Sequence, residues 1–352
     1  MKTALIIAWR QGETELQETI DSAKKSLPQT AEIYPVEDKS FDGPGKTRNR
    51  GIEAAVNADV CIIVDPHMRF KGKVLARMAK EVYKNSGLLC PRCHHNRECS
   101  FDTLGDKGQL FYAGADIEWM GHDANGPASL VWKWSKEKNT GKRACIGGAC
   151  YAFRRDWYFD VGQPLAALTG WGGDEEALSI SAWLSGFDPM IFDGDVAHRY
   201  RDSAPWGSSL TAKEVSAIKY ESRGALISAV AADWKDKRDL LGWQRSREIT
   251  TPEVIRWHDC LKKQKRTWSQ WKEEVPIMAR KKQVEEKKPI EKKPRANYGS
   301  AENNRVCRKC GSAASSVESV RKTGRMTVRY RICSACGTRR TTQEISCAIA
   351  TP

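Results

Sequence analysis

An aspartate and a histidine one residue apart, at the end of a short apolar run, make a grip for a divalent cation. Cys61-Ile62-Ile63-Val64 leads into Asp65-Pro66-His67, and two ligands so spaced can point the same way. A carboxylate paired with an imidazole suits manganese or magnesium, and manganese best. His198, within Asp195-Val196-Ala197-His198-Arg199, is a third ligand within reach if the fold returns the chain. A cation held this way offsets the charge of a diphosphate. Farther along, Gly170-Trp171-Gly172-Gly173-Asp174-Glu175-Glu176 sets glycines and three acids at the start of a helix. The glycines let backbone approach a bound sugar, and the acids gain from the positive helix end.

Each feature has a plainer reading. An aspartate at a strand end with an incidental histidine, a helix start merely capped by acids, and a structural histidine would look alike one at a time. Val36-Glu37-Asp38-Lys39-Ser40 is of the same kind. Asp38 ends a strand where open α/β sheets bind ligands, in position to meet a nucleoside, yet acids there also serve turns.

The cysteines carry a second chemistry. Cys307-x2-Cys310 and Cys333-x2-Cys336, each followed by a glycine, have the spacing of a four-thiolate zinc site. Between these knuckles stand Arg321, Lys322, Arg325, Arg329 and Arg331, with Tyr330 among them. So small a unit has too little core to fold without metal. Cys90-Pro91-Arg92-Cys93-His94-His95 with Cys99 offers a second zinc site, or a reduced pair at a strand end; Cys145 and Cys150 are expected to be packed.

Elements must bring these residues together. Ala4–Trp9, Ala31–Val36 and Val60–Val64 read as buried strands, alternating with helices over Glu13–Leu27, Lys46–Asn57 and Lys71–Asn85. Strands without polar alternation, separated by helices, predict an α/β fold with a mostly parallel central sheet covered on both faces. Gly87–Leu89, Gly147–Phe153 and Met190–Phe192 add strands, and Asp174–Leu184 a helix. Asn96–Asn139 reads as irregular. Ala212–Val230 and Pro252–Glu274 read as helical, with Trp268 and Trp271 at a spacing that suits core or docking. The expected organisation is an α/β domain over 1–205, a helical extension over 206–275, a basic linker over 276–305 and a zinc ribbon over 306–347. The linker, mostly Lys, Glu and Pro, has almost nothing to bury.

The net charge of +14 over 352 residues is unevenly placed. Residues 276–300 hold +5 and residues 301–352 hold +7, leaving +2 for the first 275. A basic tail on a neutral body suggests a polyanionic partner; the bland reading is a solvated linker. No apolar stretch is long enough to cross a bilayer. No membrane partner is expected, and the twelve cysteines fit a reducing, cytoplasmic setting.

The order and spacing of the motifs over roughly Met1–Arg201 resemble the GT-A glycosyltransferases of the family-2 type. Asp65-Pro66-His67, Trp171–Asp174 and His198 are similar to the metal and Trp-Gly-Gly-acid segments of the polypeptide N-acetylgalactosaminyltransferases. The three acids after Gly173 are similar to those of the β-1,4-galactosyltransferases. Gly147–Arg155 resembles the strand before their acceptor site. The resemblance implies sugar transfer from a nucleotide diphosphate sugar, a UDP-sugar first, with Mn2+ or Mg2+ on Asp65, His67 and His198. The implied donor-binding set is Asp38, Arg10, Arg48, Asp65, Trp171, Gly172 and Gly173. Glu175 would deprotonate the acceptor, with Asp174 orienting it. The aspartate-x-histidine pattern resembles retaining enzymes and the acidic run inverting ones, so the stereochemical outcome is open.

Joined to the basic tail and its Zn2+ ribbon, the transferase reading points to DNA as acceptor. A 5-hydroxymethylpyrimidine, a base of the kind found in bacteriophage genomes, offers the alcohol that unmodified bases lack. The tail would hold the duplex through phosphates. Two alternatives stand beside it: transfer to a protein or cell-surface glycan, and a nucleic-acid-binding regulator whose transferase domain is inactive.

Overall fold

The computed structural model describes residues 1–39, 42–85, 87–95, 110–120, 130–135, 140–170, 172–199, 221–222, 224–230, 249–274, 315–323, 326–333, 336 and 339–345. The chain forms two compact units, Met1–Lys281 and Lys282–Pro352.

The first unit is organised by its unbroken apolar runs. β1 (Thr3–Trp9), β2 (Glu32–Glu37) and β3 (Val60–Val64) pair in parallel, with β1 between the other two. α1 (Leu16–Ser26) and α2 (Pro44–Ala54) make the crossovers. All five β3 side chains are fully buried. Each of its isoleucines and valines contributes about 2 kcal/mol by leaving water.

The sheet has nine strands in the order β2-β1-β3-β10-β5-β11-β4, with β6 on β5 and β9 on β11. It is mixed. β1, β2, β3, β5 (Leu88–His95) and β11 (Pro189–His198) run one way. β4 (Met68–Phe70), β6 (Leu110–Tyr112), β9 (Gly141–Lys142) and β10 (Cys150–Arg154) run the other.

Alternation along each strand feeds two cores. Leu5, Ile7, Ile62 and Val64 face α1 and α3 (Val74–Asn85), meeting Ala23, Leu75 and Met78. Ile6, Cys61 and Ile63 face the other way. There they join Tyr151 and Phe153 of β10, Ile180 and Trp183 of α5 (Asp174–Leu184), and Trp157 of the short α4 (Arg155–Asp160). The described part of 206–275 belongs to this second core. Residues 224–230 are helical, and Leu226, Ile227, Trp257, Trp268 and Trp271 pack with the sheet's own residues.

Three expectations change. The stretch 96–139 is not irregular throughout: β6 lies in it, and so do β7 (Ala115–Met120) and β8 (Leu130–Trp134), which pair as a separate ribbon. The helix expected over Pro252–Glu274 is two, α6 (Pro252–Leu261) and α7 (Trp268–Glu274). Thr267 and Gln270 form a reciprocal cap that starts α7, since Gln270 N donates to Thr267 Oγ1 at 3.2 Å and Thr267 N donates to Gln270 Oε1 at 2.8 Å. Trp268 and Trp271 are stacked core residues, their rings 4.5 Å apart.

β5 also runs six residues past Leu89, to His95. This extension puts Cys90 and Cys93 three apart on one strand, hence on opposite faces. Cys90 packs in one core and Cys93 in the other, so the two thiols do not share a zinc ion. Burial pushes the Cys90 thiol up to about 12, as fits an inert packed cysteine.

In the second unit β12 (Ser315–Thr323), β13 (Met326–Cys333) and β14 (Arg339–Ile345) form an antiparallel sheet in that order. The linker lies outside the described residues.

Candidate active site

The motif at the end of β3 turns sharply into β4, and α1 holds the turn. Thr19 Oγ1 donates to Pro66 O at 2.8 Å and accepts from Met68 N at 2.9 Å. His67 is thereby fixed between two anchored residues. β11 pairs antiparallel with β4, placing His198 opposite Met68, and Arg199 N donates to His67 O at 3.2 Å. His198 is the last residue of a ten-residue strand rather than the follower of a short one. The pairing explains how a histidine 131 positions after His67 arrives beside it.

The two imidazoles meet edge to face, centroids 4.5 Å apart. His198 Nε2 stands 3.2 Å from Asp65 Oδ2. One ligand atom each of Asp65, His67 and His198 lies within 4.8 Å of the others. One carboxylate and two imidazoles at this spacing fit a divalent cation of the manganese type. Burial alone would push the Asp65 carboxyl up. The hydrogen bond with His198 and the charges of Arg48, His198 and His67 overcome this and hold it well below the usual carboxylate range. Burial lowers His67, against the raising effect of Asp65 and Glu15, which favours the neutral ring a metal ligand needs.

Arg48, on the inward face of α2, ties this cluster to the acidic helix start. Its guanidinium meets Asp65 Oδ1 at 2.6 Å and also pairs with Asp174. It lies 5.7 Å from the centre of the Tyr151 ring. Burial works against its charge, but Tyr151, Asp65 and Glu175 more than offset that and raise its pKa. Asp174 is itself buried. Burial raises the Glu175 carboxyl, partly opposed by a backbone hydrogen bond and by Arg48. That carboxylate lies against Gly148, where a Cβ would stand 2.0 Å from its Oε1.

Asp38 is buried and organises the β2–α2 turn. It pairs with Arg10 at 2.6 Å and accepts from Asp42 N and Gly43 N at 2.9 and 3.2 Å. The turn is docked on the glycine loop before α5, for Gly170 N donates to Asp42 O at 2.9 Å. Gly43, at φ +92°, has no room for a side chain, because a Cβ would stand 1.7 Å from Gly170 O. Gly172 and Gly173 hold φ of +94° and +89°, leading into Asp174.

The structure therefore gathers Asp65, His67, His198, Arg48, Asp174 and Glu175, and keeps Asp38 with Arg10 at the neighbouring turn. Trp171 lies outside the described residues. The sequence reading missed Thr19, whose mid-helix place carries no signal, and Gly148, whose small size matters only once Glu175 is beside it.

GalNAc-T7, crystallised with UDP, GalNAc and Mn2+, has a similar structure. The likeness has a TM-score of 0.59 at 14% identity, covering 78% of this chain and 56% of that one. The shared core is the GT-A fold. S. aureus TarS 1–349, crystallised with UDP-GlcNAc, gives 14% identity and a TM-score of 0.42, covering 79% of this chain and 84% of that one. The chain thus spans 56% of the length of GalNAc-T7. No family model and no curated protein matches the sequence. Among the described residues no helix is long and apolar enough to cross a membrane.

In the second unit Cys333 ends β13 and Cys336 is exposed just beyond it. Cys307, Cys310 and Arg325 lie outside the described residues. The register divides the basic residues between faces. Lys322 pairs with Thr327, and Arg331 with Arg340, so Lys322, Arg329, Arg331 and Arg340 share one face. Arg321 pairs with Val328 and falls on the other.

Proposed function

We propose that the chain is a cation-dependent glycosyltransferase moving a sugar from a UDP-sugar to a hydroxyl acceptor. The observation that carries this is the convergence of Asp65, His67 and His198 on one point, joined through Arg48 to the acidic start of α5. Those three residues would hold Mn2+ or Mg2+, which when bound offsets the charge of the departing diphosphate. Glu175 takes the proton of the acceptor hydroxyl, and its raised pKa suits a general base near neutrality. Asp174 acts through Arg48, fixing α5 against the cation ligands, and is a positioning residue. Arg10, Asp38, Gly172 and Gly173 line the donor side, and Trp171 joins them by its motif.

The acceptor we infer is a 5-hydroxymethylpyrimidine in DNA. Support comes from the tail: +12 of the +14 charge lies beyond residue 275, and the β12–β14 register collects Lys322, Arg329, Arg331 and Arg340 on one face. Cys307, Cys310, Cys333 and Cys336 would close a zinc site that folds this unit.

The test is incubation of the protein and Mn2+ with labelled nucleotide sugars, followed by hydroxymethylated DNA, plain DNA or protein. Label in the hydroxymethylated DNA alone is expected. Label in protein would move the acceptor to a polypeptide or glycan, and no donor binding at all would refute the enzyme reading.

A further inference from the structure

The turn between β1 and α1 supplies a buried acid that no step above uses. Glu13 N donates to Arg10 O at 3.0 Å, and the Glu13 side chain is only 4% exposed. A carboxylate so buried persists only where charge or hydrogen bonding offsets its lost hydration. Its Oε2 lies 3.5 Å from His67 Nδ1. The same segment reaches the cation ligands twice more. Glu15, also buried, pairs with Arg199, the residue after His198, and Thr19 holds both neighbours of His67.

We propose that Glu13 is a positioning residue of the cation site, selecting the tautomer of His67 that carries its proton on Nδ1. A carboxylate facing Nδ1 attracts an N–H there and repels a bare lone pair. The lone pair then resides on Nε2, which serves as the ligand atom. Carboxylates behind metal-binding histidines act in this way, raising the ring's basicity and removing its freedom to turn. Thr19 holds the backbone on either side of His67 and Glu15 the side chain of Arg199 beside His198, so the β1–α1 segment braces both histidines while contributing no ligand of its own. The inference rests on the cation-site reading above.

The full chain labelled with 15N-histidine reports the tautomer directly, without metal. The wild type is expected to show His67 protonated on Nδ1, whereas E13L shows a mixture or the Nε2-protonated form. Calorimetric titration with Mn2+ should find E13L weaker by about 10- to 100-fold and H67A without measurable binding. A wild-type His67 protonated on Nε2 overturns the proposal, and this reading stands even if E13L fails to fold. So does a folded E13L with wild-type tautomer and Mn2+ affinity, an outcome that leaves the cation site itself intact. If instead the wild type binds no Mn2+, the cation-site reading falls and this inference with it.

Discussion

Gly148→Ala tests Glu175 without altering it. An ideal Cβ at position 148 would stand 2.0 Å from Oε1, 2.6 Å from Cδ and 3.0 Å from Cγ of Glu175. Real Cβ atoms essentially never come closer than 3.0 Å, so the carboxylate must retreat by about 1 Å, a displacement that costs on the order of 100-fold in a positioned reaction. The fold should bear the change. The obstructing atoms are the end of a flexible side chain, and pushing it off its rotamer costs about 1 kcal/mol. Position 148 is also outside the left-handed region, so alanine brings no backbone strain. Asp65 and His67, in the turn between β3 and β4, and His198, at the end of β11, are not among the atoms the new Cβ meets, and they keep their spacing. The expected result is a kcat for sugar transfer lowered about 100-fold, with Mn2+ and UDP affinities at wild-type levels by calorimetry. Single-turnover transfer of labelled sugar reads the chemical step. A folded Gly148→Ala variant whose kcat stays within about threefold of wild type would refute the assignment of Glu175 as base.

Arg48→Met should destabilise the first unit by about 3 kcal/mol, because it leaves Asp65 and the buried Asp174 without their shared cation. Denaturant unfolding measures this, and an unchanged midpoint would show that the bridge carries no energy. Native mass spectrometry of the full chain should find one zinc per chain, lost in Cys333→Ser. A second bound zinc that persists in His67→Ala but is lost in Cys90→Ser would contradict the placement of Cys90 and Cys93 on opposite faces.

What the sequence disclosed followed from how local each signal was. Val60–Val64 could be read to the residue, since five consecutive apolar residues ending at Asp65 admit one strand and one exit point. Asp174–Leu184 was equally plain, bounded by Gly173 before it and Gly186 after it. Met190–Phe192 is legible as a strand, but its continuation to His198 is not. Asp193, Gly194 and Asp195 interrupt the apolar run, and only the β5 and β4 partners carry the strand onward. The far end of β5 is illegible for a similar reason. Pro91 and the charged Arg92 argue against a strand, yet the ladder tolerates the proline where its register shifts, between Phe192 and Asp195. The break between α6 and α7 had a local signal in Thr267-x-x-Gln270 that the tryptophan spacing obscured.

The site itself was legible as ligands and illegible as a network. Asp65, His67, His198 and Glu175 announce themselves by type. Arg48 does not announce its role, since an arginine on a helix is usually solvated. Its burial between Asp65 and Asp174 follows from α2 crossing over the sheet at the end where β3 stops. One guanidinium faces Asp65, Asp174 and the Coulombic field of Glu175, so negative charge exceeds positive there. In a low-dielectric setting such an excess is costly unless something else balances it. A divalent cation on Asp65 and the two histidines would remove the excess, and the donor diphosphate would then restore negative charge within reach of Arg48. The fold thus holds a charge imbalance that binding can relieve, and by thermal unfolding the rise in stability on adding Mn2+ should be larger in the wild type than in Glu175→Gln, which removes one negative charge and leaves Arg48 in place.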